Sequence, residues 1–263
     1  ARRRSWAYLS TAAQLANANE PALAVSDDLE LMPAYAYHRP ASLEEALKLK
    51  AESPAARYIA GGTDVMVRIR EQTPGKEQIP ALISLRSVPE MEGIEVGDTI
   101  RIGALTKVSA LTEHGALGER LPALVRAARG LGSIQIRNLA TVAGNLCNAS
   151  PCADLAPPLL TLDARLRIVG TAGAREISLS DFFVAPGETR LSPEEIVTHV
   201  LIDPPPAESR ASFVKKGRVA MDIAIASIAA LSAVLLSSLA PSTGDAASAP
   251  GVAAPGVAAP GVA

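Results

Sequence analysis

Two glycine-containing segments carry the residues best suited to bind a ligand. The first, Ile59-Ala60-Gly61-Gly62-Thr63-Asp64-Val65, follows a short apolar run. Paired glycines let backbone amides turn toward one concavity and bind phosphate oxygens, and Thr63 adds a hydroxyl donor. The alternative is an ordinary tight turn with Asp64 as a solvated cap. The segment matches neither a Walker loop nor the G-x-G-x-x-G pattern.

A longer second segment, residues 136–154, combines small residues with polar side chains. Small residues permit a ligand to approach the backbone, and four side chains supply polar atoms at high density, namely Asn145, Asn148, Ser150 and Asp154. This combination favours a cofactor-binding wall. The alternative is an irregular loop whose asparagines and serine bind their own backbone.

The remaining reactive residue types do not form a catalytic or metal-binding pattern. Cys147 and Cys152 have no nearby histidine or second cysteine pair, so inert packing is favoured over redox or metal chemistry. The three histidines are scattered at positions 38, 114 and 199. Without a Ser/His/Asp order or paired carboxylates, we predict no catalytic residue and no metal site, and we expect cofactor binding rather than acid–base chemistry.

The composition limits the class of protein. The chain has 263 residues, of which 48% are hydrophobic and 20% charged, with a formal net charge of −2. A sizeable core can form, and neither disorder nor nucleic-acid binding through bulk positive charge is favoured. Two cysteines cannot make a disulfide framework, so a cytoplasmic protein with reduced thiols is expected.

The first half of the chain contains clear helix and strand signals. Ser42-Leu43-Glu44-Glu45 is a capping box, in which Glu45 is expected to reach back to the Ser42 amide, and the helix that it starts should end at Ser53-Pro54. Runs at 57–60 and 79–85 are predicted strands. Pro40 to Leu85 therefore forms a strand-helix-strand unit.

The following region predicts mixed helices and hairpins. Gly97-Asp98 lies between two alternating runs, 94–96 and 99–102, which is typical of a hairpin with a two-residue primed turn. Helices are predicted at 108–111 and 122–129, and strands at 165–169 and 194–202. This order favours an α+β fold over regular βαβ alternation.

Both ends of the chain differ from its centre. Arg2-Arg3-Arg4 is similar to the start of a twin-arginine export signal, but polar residues interrupt the apolar stretch that should follow, so residues 1–32 are predicted to be an extension. After Pro204-Pro205-Pro206, strands are expected at 212–214 and 221–230. The uncharged stretch 223–240 is interpreted as a buried strand rather than a membrane span. Repeats of Ala-Pro-Gly-Val-Ala end the chain in a flexible tail.

Together, the two segments resemble a known family. Ala60-Gly61-Gly62-Thr63-Asp64 and residues 141–160, Thr-Val-Ala-Gly-Asn-Leu-Cys-Asn-Ala-Ser-Pro-Cys-Ala-Asp-Leu-Ala-Pro-Pro-Leu-Leu, resemble the FAD-binding medium subunit of molybdenum hydroxylases, the xanthine dehydrogenase and carbon monoxide dehydrogenase family. The similarity runs from about Pro33 to about Leu235 and includes Phe213–Arg218.

The resemblance implies an α+β fold of the vanillyl-alcohol oxidase (PCMH) type, with two α+β FAD-binding subdomains and a truncated small C-terminal α+β domain. The implied boundaries are 33–86 for the first subdomain, 87–205 for the second and 206–240 for the partial C-terminal domain. Residues 241–263 would form the flexible tail.

The resemblance also implies roles for particular residues. Residues 59–65 would wrap the pyrophosphate through backbone amides, and Thr141, Gly144 and Asn145 would face the diphosphate and ribityl region. Asp154 would accept hydrogen bonds from cofactor hydroxyls, and Lys215 would lie near the flavin ring. The residues assigned in this way are Ile59, Ala60, Gly61, Gly62, Thr63, Asp64, Val65, Gly132, Ala140, Thr141, Gly144, Asn145, Ser150, Asp154 and Lys215.

The function implied by the resemblance is electron transfer through FAD in a multi-subunit oxidoreductase. Expected partners are a molybdenum-cofactor large subunit and a [2Fe–2S] small subunit, with NAD or another electron acceptor and neither nucleic acid nor a membrane span. Ala143 stands where the family commonly has a glycine, and this departure together with the truncated C-terminal domain leaves open an assembly subunit that has lost FAD. A stand-alone flavin oxidoreductase is a separate alternative.

Overall fold

A computed structural model describes residues 35–70, 79–206, 208–219 and 222–232. The extension expected at 1–32 and the tail expected at 241–263 lie outside the described residues, as do Met221 and residues 233–240.

A small parallel sheet forms the first part of the fold. Its strands are β1 (Ala36–His38), β2 (Arg57–Ile59) and β3 (Ala81–Ser84), in the order β1-β3-β2. Helix α1 (Leu43–Glu52) connects β1 to β2, and α2 (Val65–Arg70) follows β2. The helix and the two strands predicted between Pro40 and Leu85 are present, but the structure adds α2 between the two strands and β1 before Pro40, and β2 pairs in parallel with β3.

An antiparallel sheet forms the second part. The strands are β4 (Ile94–Glu95), β5 (Ile100–Gly103), β6 (Arg165–Gly170), β7 (Gly173–Ser178) and β10 (Ile196–Ile202). They are ordered β4-β5-β10-β6-β7, so the long β10 lies in the centre. Buried side chains occupy nearly all of β10, as expected for a central strand.

Short helices cover this sheet and connect its strands. They are α3 (Val108–Glu113), α4 (Gly115–Arg120), α5 (Pro122–Gly130), α6 (Ile134–Arg137), α7 (Val142–Cys147), α8 (Ala156–Thr161) and α9 (Leu179–Phe182). Between α9 and β10, a small hairpin consists of β8 (Phe183–Ala185) and β9 (Glu188–Thr189). The second glycine-containing segment therefore includes the end of α6 and all of α7, and it is more regular than an irregular loop.

A two-stranded antiparallel ribbon follows the three prolines. It consists of β11 (Arg210–Lys216) and β12 (Ala226–Ser232), which pack on α5 and α8 respectively. The expectation of a buried strand is wrong for the described part of 223–240, because β12 alternates between exposed and half-buried residues and Ile228 is 66% exposed. Only one face of the ribbon meets the protein, which explains this alternation.

One hydrophobic core joins both sheets. Ala81 and Ile83 from the parallel sheet belong to the same buried cluster as Ile102 and Val200 from the antiparallel sheet, and Phe213 of β11 also belongs to it. The sheets are therefore packed against each other through a shared apolar interior. Across the described ranges, no helix combines the length and apolar character needed to cross a membrane.

Two local predictions differ from the structure. The hairpin at Gly97 forms, but Glu95 pairs with Arg101 and Gly97 has no positive φ, so the two-residue primed turn is wrong. The capping box forms through the Ser42 hydroxyl, which accepts from the Glu45 amide at 3.1 Å. Glu45, however, accepts from the Ala41 amide at 2.7 Å and not from that of Ser42.

Candidate functional site

The two glycine-containing segments line one cleft, although about eighty residues separate them in the chain. The cleft has a volume of about 660 Å³, within the range of small-molecule and cofactor sites. Its walls come from the loop after β2, from the segment 131–154 and from residues 189–197, which run into the start of β10. The fold therefore brings together the residues that sequence patterns select separately.

The loop after β2 offers a row of free backbone donors. No described residue accepts a hydrogen bond from the amides of residues 61–65, and Gly62 adopts a left-handed φ of 80°. Alternating right- and left-handed conformations turn successive amides toward a common anion-binding concavity. Arg86 binds this loop by donating to the carbonyls of Ala60 at 2.8 Å and Gly61 at 2.7 Å. These bonds hold the loop in place while its amides remain unpaired among the described residues.

Gly61 contacts the backbone of the second segment directly. A Cβ atom at this position would overlap the Leu139 carbonyl oxygen and would lie 2.9 Å from Ala140 Cα. Both neighbours are backbone atoms, which cannot rotate away. Glycine is therefore required here by close approach of the two walls, in addition to the turn at Gly62.

The second segment contributes side chains rather than free amides. Thr141 caps α7, and its hydroxyl accepts from the Gly144 amide at 3.1 Å. The other amides of the first turn donate to the Thr141 carbonyl and to carbonyls within residues 104–106. The N-terminus of α7 is thus satisfied within the protein. Asn145 differs, because its buried Oδ1 has no partner among the described residues and its side chain lines the cleft.

A hydrogen-bonded chain joins the two walls of the cleft. The Asn148 side-chain amide donates to Asp64 Oδ1 at 3.0 Å, and Arg68 donates to Asn148 Oδ1 at 2.6 Å. Thr63 donates to the second oxygen of Asp64 at 3.2 Å. The Asp64 carboxylate is therefore directed toward Asn148 and is more than a solvated cap.

Asp154 places a carboxylate in the wall of the cleft. Its Oδ2 accepts from Lys215 Nζ at 2.9 Å, while its buried Oδ1 has no partner among the described residues. Lys215 also donates to the Gly130 carbonyl at 3.0 Å. Burial raises the pKa of the Asp154 carboxyl, and the hydrogen bond and charge of Lys215 oppose this rise. The side chains of Asp154 and Lys215 are only 8% and 14% exposed.

The turn after α7 is held in an unusual conformation. Ala149 has a φ of 46°, and its carbonyl accepts from the Gly187 amide at 2.9 Å in the β8–β9 hairpin. Ser150 accepts from the Cys152 amide at 3.2 Å, so part of the segment does bind its own backbone. Burial raises the pKa of Cys147 to about 12, which agrees with the predicted inert thiol.

A buried lysine and a tyrosine also line the cleft. Lys50 is 5% exposed and donates to the carbonyls of Pro54 and Ala56, each at 2.6 Å. Its ammonium lies 5.8 Å from the centre of the Tyr58 ring, and burial lowers the pKa of Lys50. The Tyr58 hydroxyl is buried without a partner among the described residues. No sequence pattern indicated that Lys50 and Tyr58 line the cleft.

All but two of the predicted site residues line the cleft. Ile59 is a buried residue of β2 behind the loop, and Lys215 lies behind Asp154. Residues that line the cleft as expected are Ala60, Gly61, Gly62, Thr63, Asp64, Val65, Gly132, Ala140, Thr141, Gly144, Asn145, Ser150 and Asp154.

Sequence reasoning did not assign Arg68 and Arg86 to the site. Arg86 lies in a single turn of 3-10 helix after β3, where no local pattern distinguishes it from a surface cation. Arg68 lies on α2, in a stretch for which no helix was predicted. Only the packing of distant segments shows that both bind the walls of the cleft.

Fold and site together define a mixed α/β protein with a cleft in which free backbone donors and unpaired buried acceptors, among the described residues, could bind a ligand that carries both phosphate oxygens and hydroxyl groups. Comparison with known families narrows this class. Residues 33–205 match the family model described as the FAD binding domain in molybdopterin dehydrogenase. The chain belongs to this family, whose cofactor is FAD, and the predicted resemblance is confirmed.

Individual proteins that are similar to the chain support the assignment to this family. The chain is 35% identical over 198 residues to a putative xanthine dehydrogenase FAD-binding subunit of Escherichia coli, covering 74% of this chain and 67% of the relative. It is 36% identical over 192 residues to the nicotinate dehydrogenase FAD-subunit of Eubacterium barkeri, and this match covers 70% of this chain and 63% of the relative. The chain thus spans about two thirds of the length of these oxidoreductase subunits.

A solved structure shows the same fold. Carbon monoxide dehydrogenase from Hydrogenophaga pseudoflava superimposes with a TM-score of 0.72 at 28% sequence identity, covering 76% of this chain and 70% of the other. The fold is therefore the mixed α/β fold of this FAD-binding family.

Proposed function

We propose that this chain is the FAD-binding electron-transfer subunit of a multi-subunit molybdenum hydroxylase. The observation that carries the proposal is the cleft itself, which is lined both by backbone amides and by buried acceptors that have no partner among the described residues. FAD has both complementary groups, since its diphosphate accepts hydrogen bonds and its ribityl and ribose hydroxyls donate them.

The loop after β2 would hold the diphosphate. Backbone amides are suited to this role because they bind phosphate oxygens without a compensating countercharge, and the left-handed turn at Gly62 gathers them. Ala60 to Val65 line the cleft, which supports the predicted contribution of every residue of this loop except Ile59. The role of Ile59 would be to anchor the loop through burial in β2.

Asn145 and Asp154 would accept hydrogen bonds from cofactor hydroxyls. Each has a buried oxygen without a partner among the described residues, and leaving such an atom unpaired costs about 1–3 kcal/mol. A bound hydroxyl would remove that cost. Gly132, Ala140 and Gly144 would allow close approach of the cofactor, while Thr141 and Ser150 supply hydroxyl groups at the cleft wall.

Ala143 is compatible with FAD binding. Its side chain is buried in the cleft wall and its amide donates to the Ala104 carbonyl at 3.0 Å. The cleft retains about 660 Å³ with this alanine in place. This volume favours a chain that binds FAD over an assembly subunit that has lost it.

The proposed arrangement is the vanillyl-alcohol oxidase (PCMH) type, with subdomain boundaries near 86 and 205. The parallel sheet lies within the first interval and the antiparallel sheet within the second. The β11–β12 ribbon would be the beginning of the C-terminal domain.

Bound FAD would accept electrons from a [2Fe–2S] subunit and pass them to NAD or another external acceptor, while a molybdenum-cofactor subunit oxidises the substrate. The xanthine and nicotinate dehydrogenase FAD-binding subunits among the relatives support this division of labour. We place this complex in the cytoplasm, in line with its two free thiols.

The test is a visible absorption spectrum of the purified full chain, followed by acid release and identification of the flavin. We expect FAD in a ratio near one per chain. A colourless protein that does not bind added FAD would overturn the proposal and leave the assembly subunit as the better interpretation.

A variant locates the cofactor within the cleft. Asn145→Ala should weaken FAD binding about tenfold, the equivalent of about 1.4 kcal/mol for one lost hydrogen bond to a buried group. Asn138→Ala is the matched control, because Asn138 is exposed and does not line the cleft. Equal affinity of both variants would place FAD elsewhere.

A further inference from the structure

We infer that Arg175 is a positioning residue that suits the cleft to an anionic cofactor by compensating the charge of Glu195. This inference rests on the proposed function, because it concerns how the cleft accepts the diphosphate of FAD. Glu195 lines the cleft directly before β10, and its side chain is 18% exposed. An uncompensated carboxylate at this place would repel the phosphate groups of a bound cofactor.

A local turn explains why a carboxylate stands in this wall. The Glu195 amide donates to the Ser192 carbonyl at 3.0 Å, and the Ser192 amide donates in return to Glu195 Oε2 at 2.9 Å. The Glu195 side chain thus closes the turn that carries Ser192 and Pro193 in the cleft wall. This role needs an acceptor oxygen, which a glutamine amide also has, and it does not need the negative charge.

Arg175 binds both oxygens of this carboxylate. Its Nε donates to Oε1 at 2.7 Å and its Nη2 donates to Oε2 at 2.8 Å, which is the bidentate geometry of strong arginine–carboxylate pairs. Nη2 also donates to the Arg190 carbonyl at 3.1 Å, which holds the guanidinium in this orientation. The hydrogen bond from Arg175 lowers the pKa of Glu195. The carboxylate is therefore compensated by a cation and not by a proton.

The fold leaves space for this pair at the end of β6. Arg175 lies on β7 and Glu195 precedes β10, and β6 lies between these two strands in the sheet. A Cβ atom at Gly170, the last residue of β6, would lie 3.0 Å from Glu195 Cγ. The missing side chain at Gly170 therefore lets Glu195 lie close to β6 and bind Arg175.

Ion pairing recurs at other carboxylates of the cleft. Four carboxylates of the described residues line it, namely those of Asp64, Asp154, Glu195 and Asp222. Asp154 is paired with Lys215 at 2.9 Å, and Asp222 is paired with Arg218 at 2.8 Å. With Glu195, three of these four carboxylates lie beside a cation. The free amides of the loop after β2 therefore face an anion with little opposing charge from the walls.

The test measures FAD affinity of full-length variants at low and high salt. In about 0.1 M salt, Arg175→Met should raise the FAD dissociation constant about tenfold, the equivalent of about 1.4 kcal/mol, because Glu195 is left uncompensated. In about 1 M salt, where the Debye length is only about 3 Å, the loss should shrink to less than about threefold. Arg167→Met is the matched control, because it removes the same charge from an exposed residue of β6 and should bind FAD like wild type.

A second substitution separates charge from shape. Adding Glu195→Gln to Arg175→Met removes the uncompensated charge but keeps an oxygen that can accept from the Ser192 amide. This double variant should bind FAD within about threefold of wild type. If Arg175 only held the wall in shape, the double variant would bind as weakly as Arg175→Met, and this result would overturn the inference. A loss in Arg175→Met that does not change with salt would overturn it as well.

A measurement on the apo protein distinguishes this inference from the proposed function. In denaturant titrations without FAD, Arg175→Met should be less stable than the double variant, because removal of one partner leaves the other charge uncompensated. If wild type binds no FAD but this difference appears, the proposed function fails and the charge compensation stands. If wild type binds FAD but the double variant is neither more stable nor a better binder than Arg175→Met, the proposed function stands and the inference fails.

Discussion

Replacing Gly61 by alanine should weaken FAD binding without unfolding the protein. The new Cβ would overlap the Leu139 carbonyl oxygen and crowd Ala140 Cα at 2.9 Å. Neither atom belongs to a side chain, so the clash is relieved only if the two walls of the cleft separate.

The size of the effect follows from the cost of overpacking. Forcing an extra carbon into a packed contact costs about 1–3 kcal/mol. If the walls separate to relieve this strain and FAD binding must close them again, the same free energy appears as lost affinity. Since about 1.4 kcal/mol corresponds to a factor of ten, we expect the FAD dissociation constant to rise about fivefold to a hundredfold.

Isothermal titration or quenching of flavin fluorescence measures this change directly. Gly118→Ala is the matched control, because Gly118 lies in α4, where an added Cβ would meet no described atom within 4 Å, and its φ is not positive. Alanine should stabilise this helix by about 0.5–1 kcal/mol and leave FAD affinity unchanged. Wild-type affinity in Gly61→Ala would refute the close-approach argument.

Three further perturbations test other parts of the structure. Asn148→Ala removes the two hydrogen bonds, to Asp64 and from Arg68, that join the cleft walls. Stopped-flow measurements should then show faster FAD release, and an unchanged release rate would contradict the role of Asn148 in holding the walls together. Cys147 should not react with a thiol reagent at pH 8 until the protein unfolds, because burial raises its pKa to about 12. Labelling of Cys147 in the folded protein, detected by mass spectrometry, would contradict this expectation. The hydrogen bond from Arg175 lowers the pKa of Glu195, so Arg175→Ala should be less stable than wild type above pH 5. In denaturant titrations, this difference in the free energy of unfolding should shrink as pH falls through the lowered pKa of Glu195. A difference that does not change with pH would count against the ion pair.

Local signals predicted many of the elements correctly. The helix after Ser42, the proline-started helix at 122 and the strand now labelled β10 are all present within two residues of their expected bounds. Their signals depend on neighbours in sequence, such as a capping hydroxyl or an apolar run. The turn predicted at Gly97 was wrong because its register is set by pairing across β4 and β5, which turn residues alone do not fix.

The site was predictable to the extent that it depends on residue type. Glycines at 61 and 62, a density of asparagines and a carboxylate at 154 indicated a cofactor, and the resemblance named FAD. The partners of those residues were not predictable. Arg86 behind the loop, Arg68 on Asn148 and Lys215 behind Asp154 all approach from 25 to 80 residues away.

The sequence by itself determined which residues can bind a phosphate or a hydroxyl and which family they belong to, because residue chemistry and motif order are written along the chain. Only the tertiary structure decided which of these groups are free to bind. The amides of α7 are satisfied by Thr141 and residues 104–106, whereas those after β2 have no partner among the described residues. The motif resemblance implies that Lys215 lies near the flavin, and the fold gives its ammonium the buried Asp154 carboxylate as a hydrogen-bond partner at 2.9 Å. Hydrogen-bond capacity is a property of the residue, but its use depends on neighbours that only folding supplies.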